Sequence, residues 1–136
     1  MKLLGFNFTK INIEKYKDSF KDLKLENHVD VTSVAEIKQE TIKSDDDFLA
    51  VKFKYIINYK PEVAKLEMEG TILVSVEPKI AKETLKRWKV KETPDEFRIP
   101  LFNIIFRKAG LKALELEDEL NLPLHLQMPA IRKKAD

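Results

Sequence analysis

The stretch "DFLAVKFKYIINYKPEVAKLEMEGTILVSVEP", residues 47–78, decides the fold. Two alternating runs meet at Pro61. Period-two alternation rich in β-branched and aromatic residues is typical of strands with one buried face, and a proline between two runs favours a corner. The stretch therefore predicts two antiparallel strands. The inward residues are Leu49, Val51, Phe53, Tyr55, Ile57 and Tyr59 on the first strand and Ala64, Leu66, Met68, Gly70, Ile72, Val74 and Val76 on the second.

Two more strands are predicted before this pair. "GFNFTKINIEK" (5–15) alternates but changes phase at Lys10, which indicates a bulge or bend. "NHVDVTSVAEIKQETIK" (27–43) alternates throughout, and the polar turn "KSDDD" (43–47) joins it to the next strand, so strands two to four form an antiparallel meander. One face of the second strand holds Val29, Val31, Ser33, Ala35 and Ile37, and the loop before it (16–27) carries Phe20, Leu23 and Leu25 onto the sheet edge.

The period changes to that of a helix after Pro78. "PKIAKETLKRWKV" (78–90) spaces its apolar residues at helical intervals, with the proline at the helix start. The fold class is therefore α+β: a four-stranded antiparallel sheet followed by a short and a long helix packed on one face. The apolar face of the short helix comprises Ile80, Ala81, Thr84, Leu85 and Trp88.

A capping pattern marks the start of the long helix. Thr93 occupies an N-cap position, Pro94 follows at N1 and Glu96 stands at N3, which is the arrangement of a capping box. Pro100 then removes a helix hydrogen bond and disfavours helical backbone at the residue before it. We expect one short turn, a kink and a long helix over about residues 101–120.

The long helix carries two apolar stripes, one more than a sheet with a single apolar face requires. The first should cover the sheet. Excess apolar surface on a soluble chain marks a partner interface or a binding groove, so the second stripe predicts a homo-oligomer. The first stripe comprises Phe102, Ile105, Phe106, Ala109, Ala113, Leu116 and Leu120, and the second comprises Leu101, Ile104, Leu111 and Leu114.

Length and composition narrow the class of protein. The chain of 136 residues predicts one domain over 1–136. Its 25 Lys and Arg against 23 Asp and Glu give a net charge of +2, which favours neither nucleic acid nor an anionic membrane as a partner. No run reaches the roughly 18 apolar residues of a membrane span, and the N-terminus lacks a long apolar signal region. We expect a cytoplasmic protein that does not insert into membranes.

The residues that carry catalysis are sparse. There is no cysteine, and the two histidines, His28 and His125, lack a third ligand at metal spacing. Asp45, Asp46 and Asp47 lack the spacing of a calcium loop, and the three glycines form no phosphate-binding loop. We therefore expect no enzyme activity, no metal and no cofactor.

Three segments, in this order, resemble the SecB family of export chaperones, with the likeness spanning residues 48–126. "LEMEGTILVSVEP" (66–78) is similar to the last strand of that family. "RIPLFNIIFRKAG" (98–110) is similar to its main helix, which opens with a bulky apolar residue, a proline and an apolar run. "LNLPLHLQMP" (120–129) is similar to the Pro-Leu-rich segment that follows.

The resemblance implies an ATP-independent holdase that binds unfolded or non-native polypeptides in long apolar grooves. It also implies a dimer or tetramer whose main helices meet at Leu101, Ile104, Leu111 and Leu114, and a link to protein export or to a dedicated client such as an antitoxin. In that family acidic residues on the outer sheet face help to engage the translocase motor, and Glu67 and Glu69 lie at matching places. The predicted groove residues are Phe6, Phe8, Trp88, Leu122, Leu124 and Met128.

Two departures from the family favour chaperoning over export coupling. We expect the second C-terminal helix of the family to be missing, and the tail "RKKAD" (132–136) is basic. One alternative is a non-catalytic scaffold subunit with one dedicated protein partner. A weaker alternative is a nucleic-acid binder that uses Trp88 and the basic tail, although the ordinary reading packs Trp88 inward. The identity of the client, the number of subunits and the presence of a translocase partner stay open.

Overall fold

The architecture is a four-stranded antiparallel sheet with two helices, which confirms the predicted α+β class. The computed structural model describes residues 1–38, 44–131 and 133. The predicted second strand reaches to residue 43, and residues 39–43 lie outside the described residues. The elements are β1 (Lys2–Lys15), β2 (Lys24–Ile37), β3 (Asp47–Lys60), β4 (Ala64–Val76), α1 (Pro78–Trp88) and α2 (Asp95–Glu119).

The strand order is β1-β4-β3-β2, and every neighbouring pair is antiparallel. The predicted meander of β2, β3 and β4 is confirmed, while β1 pairs with β4 at the far side. β3 and β4 are therefore central, and their inward residues form the core because the helices and the neighbouring strands cover them, while their outward residues remain on the outer face of the sheet. β1 and β2 are the two edges of the sheet, about 14 Å apart at the usual strand spacing.

Both edge strands contain a bulge. In β1 the register shifts between Phe8 and Lys10, which confirms the irregularity that the phase slip indicates. In β2 it shifts between Val31 and Ser33, which the sequence did not predict. The extra residue inverts the alternation that follows, because successive strand residues point to opposite faces. The buried residue beyond the bulge is Val34, so the predicted placement of Ser33 and Ala35 on the face of Val31 is wrong.

One transverse row of residues links the two bulges. Phe8 and Phe53 both pair with Gly70, and Val31 pairs with Phe53. A Cβ atom at Gly70 would lie 2.7 Å from a β1 carbonyl oxygen and 2.7 Å from the Phe53 ring. Only glycine therefore lets Phe53 lie across β4, where its ring centroid is 6.4 Å from that of Phe8. We call Phe8, Gly70, Phe53 and Val31 the aromatic row.

Helix α1 covers part of the sheet with its predicted apolar face. Ala81 and Thr84 are buried, and the Thr84 hydroxyl donates to the Ile80 carbonyl at 2.7 Å, so the buried oxygen is satisfied. Trp88 is half-buried at the end of the helix. The chain then turns through Lys91, which has a φ of 60°.

Helix α2 begins earlier than the sequence predicts and runs without a break. Its N-cap is Pro94, whose carbonyl accepts from the Arg98 backbone N–H at 2.8 Å, and no side chain caps the helix. The predicted capping box of Thr93 and Glu96 is therefore wrong, because Pro94 takes the extended N-cap conformation. The predicted break at Pro100 is also wrong, since the helix continues through it from Asp95 to Glu119.

The buried side of α2 follows a line of residues spaced four apart, with Gly110 buried beside it. Four residues exceed one helical turn by about 40°, so the buried line winds through about 200° over its length. This winding explains why the helix looks apolar on more than one side in the sequence. The buried residues on this line are Phe97, Leu101, Ile105, Ala109, Ala113 and Glu117.

The winding corrects the two predicted stripes. Leu101, predicted to face a partner, has no exposed surface and packs in the core of its own subunit. Phe106, predicted to cover the sheet, is 46% exposed, whereas Ile105 and Ala109 are buried as predicted. Leu111 of the second stripe is 61% exposed. The apolar residues of α2 that lie outside the core are therefore not the same residues as those of the predicted second stripe.

The C-terminal end of α2 is closed by a Schellman arrangement. Asn121 takes a φ of 54° and donates its N–H to the Asp118 carbonyl at 3.2 Å. Leu122 donates to the Glu117 carbonyl at 2.9 Å. Asparagine tolerates this left-handed conformation, and the two bonds satisfy carbonyls that would otherwise lack partners. The turn also directs the Leu122 side chain into the core.

Candidate functional site

A cleft of about 490 Å³ lies between β2 and the junction of the two helices. We call it the Trp88 cleft. Val29 and Val31 of the edge strand β2 form one wall, and the end of α1 and the start of α2 form the other. The complete lining is Val29, Asp30, Val31, Arg87, Trp88, Lys91, Glu92, Thr93, Asp95, Arg98 and Phe102.

Trp88 is the largest side chain of the cleft, and its ring is held in place. The Lys91 ammonium lies 4.8 Å from the centroid of the indole ring, within the range of a cation–π interaction. Arg87 pairs with Glu83 at 3.0 Å, and Arg98 pairs with Asp95. Arg87, Arg98 and Lys91 thus each have a partner within the protein. The lining is mixed, with four apolar residues (Val29, Val31, Trp88 and Phe102) and seven polar or charged ones.

Two aromatic rings of α2 extend the apolar wall. Phe102 lines the cleft and is half-buried, and its ring meets that of Phe106 edge to face with centroids 6.3 Å apart. Aromatic pairs in this geometry gain about 0.5–1.5 kcal/mol beyond burial. Helical spacing predicted that both rings face the core, so neither was predicted as a site residue; Phe102 does pack against the core, whereas Phe106 is exposed. Their position beside the cleft depends on the winding of the buried line of α2.

The aromatic row connects the cleft to the predicted groove residues Phe6 and Phe8. Val31 is the end of the row at the cleft, and Phe8 is its other end on β1. Phe6 and Phe8 are half-buried, and the centroid of Phe6 lies 5.3 Å from that of Phe53. An apolar strip therefore crosses the helix-covered side of the sheet from one edge strand to the other.

The predicted tail residues divide into buried and exposed ones. Leu122 is only 5% exposed and belongs to the core cluster, so its prediction as a groove residue is wrong. Leu124 and Met128 lie at the surface, with Met128 54% exposed. Neither lines the Trp88 cleft, so the structure does not gather the predicted groove residues into one site.

A buried carboxylate fixes the start of this tail. Glu117 has no exposed surface, and it accepts a hydrogen bond from the Tyr59 hydroxyl. Its Oε1 atom accepts from the His125 backbone N–H at 3.2 Å and lies 2.7 Å from His125 Nδ1. Burial, followed by the hydrogen bond to Glu117, raises the pKa of Tyr59 well above its usual range. His125 thus has a structural role at the end of α2.

The two predicted translocase residues lie on the outer face of the sheet. Glu67 sits 3.1 Å from Lys54 and 3.5 Å from Lys10, and Glu69 lies 3.9 Å from Lys10. The hydrogen bond from Lys54 lowers the pKa of Glu67 below its usual value. These pairs make the outer face one of mixed charge rather than an acidic surface.

No described helix is both long enough and apolar enough to span a membrane. Within residues 1–38, 44–131 and 133, no group of three or more His, Cys, Asp and Glu is arranged to hold a metal ion.

Comparison with known proteins identifies the fold. No family model matches the sequence, and no curated protein matches it. Among solved structures, the chain is similar to the Mycobacterium tuberculosis Rv1957 SecB-like chaperone in complex with a ChAD peptide from the Rv1956 HigA1 antitoxin. The similarity covers 96% of this chain and 87% of that chain, with a TM-score of 0.56 and 13% identity. The chain therefore has a SecB-like fold, as its sequence motifs indicate.

Proposed function

We propose that the protein is an ATP-independent chaperone that holds unfolded or non-native polypeptide segments. The observation that carries this proposal is the Trp88 cleft, where Trp88 and Phe102 face the valines of an edge strand. Both rings pack against the core with one side and leave the other side open to the cleft, and adjoining apolar surface of this kind marks a binding surface. The SecB-like fold of the chain supports the same function, and the protein acts without catalytic residues.

Client binding uses two features of the cleft together. An extended polypeptide adds to the free edge of β2 through backbone hydrogen bonds, and its alternate side chains contact the apolar residues of the cleft, Val29, Val31, Trp88 and Phe102. Edge strands offer unpaired backbone groups for such pairing. Exposed Leu124 and Met128 add adaptable apolar surface for longer clients. Clients with different side chains fit, because the backbone contributes much of the binding.

A scaffold subunit with one dedicated partner is the second candidate. It is favoured by the complex of the structural neighbour, which holds a peptide from an antitoxin. A dedicated client would bind at the same cleft but with a defined sequence. The two candidates differ in breadth: a general holdase binds many unfolded chains, whereas a dedicated subunit ignores most of them.

We also propose that the protein forms a cytoplasmic homo-oligomer through the outer side of α2. Leu111 is exposed, and Ile104 and Leu114 are half-buried beside it, so these three residues remain from the predicted interface once Leu101 is assigned to the core. Export coupling would use Glu67 and Glu69, which must then exchange their lysine partners for groups on the translocase motor.

The test is aggregation of a thermally unfolded client, followed by light scattering without ATP, at stoichiometric amounts of the chaperone. Wild-type protein should suppress aggregation, and Trp88→Ala should lose most of the suppression. Leu111→Lys should lower the mass measured by light scattering on a sizing column. Full suppression by Trp88→Ala would contradict the assignment of the cleft. No suppression by the wild type, with a stable oligomer, would favour the dedicated subunit.

A further inference from the structure

Four lysines form a stripe on the outer side of α1, the helix whose C-terminal end lines the Trp88 cleft. Lys79, Lys82, Lys86 and Lys89 are all exposed. At about 100° per residue they fall within an arc of about 80°, opposite the buried apolar face of the helix. The stripe is about 15 Å long at the helical rise of about 1.5 Å per residue. We call these residues the lysine stripe.

The charge of the lysine stripe is not neutralised by its surroundings. None of its four ammonium groups lies within ion-pair distance of a carboxylate in the described part of the chain, and the one acid on this side of α1, Glu83, pairs with Arg87. Residues 78–92 hold six Lys and Arg against two Glu, so this segment carries +4 in a chain of net charge +2. The rest of the protein is therefore slightly acidic.

Stability of the helix does not account for the stripe. The first turn of α1 has no acidic residue, and Lys79 lies within it. A positive charge near a helix N-terminus is unfavourable, because that end of the helix dipole is itself positive. Repulsion among four lysines on one side adds to this cost. Lys79 and the repulsion among the four lysines therefore cost stability in the free protein, whereas Lys86 and Lys89 at the C-terminal end interact favourably with the dipole. A bound anion offsets the repulsion.

We propose that the lysine stripe binds an acidic stretch of the client that follows the apolar segment held in the Trp88 cleft. This inference rests on the proposed function and narrows its client class. Arg87 lines the cleft and, at about 100° per residue, lies between Trp88 and the stripe around α1, so a chain that leaves the cleft past Arg87 reaches the stripe on the outer side of the helix. An extended chain rises about 3.3 Å per residue, so about five residues span it.

A polypeptide fits the stripe better than a nucleic acid. Binding of single strands commonly combines basic groups with aromatic rings on which bases stack. The only tryptophan near the stripe, Trp88, is on the other side of α1, half-buried, with Lys91 over its ring. The stripe is also short, and the remainder of the chain is slightly acidic, which disfavours a long polyanion.

Fluorescence anisotropy with three labelled peptides tests the inference on the full-length protein. Each peptide carries the same extended apolar segment, followed by five Glu, five Gln or five Lys residues. The Glu peptide should bind about tenfold tighter than the Gln peptide at low salt, since four exposed ion pairs each contribute a small attraction. The Lys peptide should bind most weakly, and the preference should shrink in about 0.5 M NaCl because salt screens exposed charges.

Two variants test whether the four stripe lysines cause the preference for the Glu peptide. Replacement of all four stripe lysines by Gln should make the Glu and Gln peptides bind equally. The matched control replaces four other exposed lysines, Lys2, Lys17, Lys21 and Lys108, and should keep the tenfold preference despite the same change in net charge. A preference lost equally in both variants would overturn the inference.

The outcomes separate this inference from the proposed function. Equal binding of the Glu and Gln peptides by the wild type would overturn the acidic-client inference and leave the holdase proposal intact. Binding of none of the peptides would overturn both. A single-stranded oligonucleotide that binds more tightly than the Glu peptide, and loses that binding in the stripe variant, would assign the stripe to nucleic acid instead.

Discussion

The two halves of α2 distribute polar and apolar side chains in opposite ways. In the first half, Phe102 and Phe106 lie partly at the surface beside a cleft. In the second half, the carboxylate of Glu117 is completely buried. A ring left in water and a carboxylate taken out of it both cost stability. The difference separates a half with two aromatic rings at the surface from a half whose buried carboxylate anchors the chain that follows it.

The largest predicted effect is the loss of the buried carboxylate. Glu117→Ala removes the acceptor of the Tyr59 hydroxyl and of the His125 backbone N–H. Leaving buried donors without a partner, together with a cavity, should lower the free energy of unfolding by about 3–5 kcal/mol. Urea denaturation measures this change in the free energy of unfolding. The control Glu119→Ala changes an exposed carboxylate on the same turn and should cost less than about 0.5 kcal/mol.

Neighbouring residues in the first half of α2 give the next largest effect. Ile105→Ala should lower the free energy of unfolding by about 2–5 kcal/mol, because Ile105 has no exposed surface. Phe106→Ser should cost less than about 1 kcal/mol and should weaken client binding or self-association instead. Thermal unfolding measures the loss of stability, and light scattering measures client aggregation and self-association. Similar losses of stability in both variants would contradict the assignment of Phe106 to the surface.

Removal of the Tyr59 hydroxyl, which donates to Glu117, should lower the free energy of unfolding by a smaller amount. Tyr59→Phe leaves one carboxylate oxygen without that donor and should cost about 1–3 kcal/mol at pH 7. The pKa of Tyr59 is raised in the folded state, so its contribution to stability is complete below the unfolded value of 10.0 and is lost as pH rises above it.

The pH dependence provides the measurement. Wild type and Tyr59→Phe should differ most near neutral pH, and the difference should narrow between about pH 10 and pH 12 as the tyrosine of the unfolded chain ionises. Chemical denaturation at several pH values measures this convergence. A difference that stays constant with pH would show that the hydroxyl is no more buried than the tyrosine of an unfolded chain.

The smallest effect concerns a carboxylate outside the core. The pKa of Glu67 is lowered by its hydrogen bond from Lys54, so its stabilising contribution is present above the ordinary value of 4.5 and is lost as pH falls below it. Glu67→Gln should slightly lower the urea midpoint at pH 7 and leave it unchanged near pH 3. A large loss of stability in Glu67→Gln at pH 7 would contradict the assignment of Glu67 to the surface, in contrast to the buried Glu117.

The alternation of apolar and polar residues predicts the inward faces of the strands well, and in β2 it fails where the bulge adds one residue. Period two identified the inward residues of β3 and β4, since each is covered by the helices or by a neighbouring strand. Beyond Val31, the bulge inverts the alternation, and no residue type marks it in the sequence. Bulges depend on the pairing of two strands, so a pattern within one strand does not reveal them.

The helix faces and the candidate site were harder to predict for a related reason. Regular helical spacing assigned Phe102 and Phe106 to the core, but a buried line with a spacing of four residues excludes Phe106 and favours Leu101. The burial of Glu117 depends on Tyr59, 58 residues earlier in the chain. Trp88 was predicted as a groove residue together with residues of β1 and the tail, whereas its cleft is formed with valines from the edge strand β2.

The winding of the buried line also has a mechanical consequence. The buried line advances by about 40° every four residues and therefore winds around α2. Rotation of α2 about its axis would carry Ile105 out of the core and Phe106 into it. Such a rotation would therefore disturb the packing of Ile105 and of Glu117 together, because both lie on the same buried line.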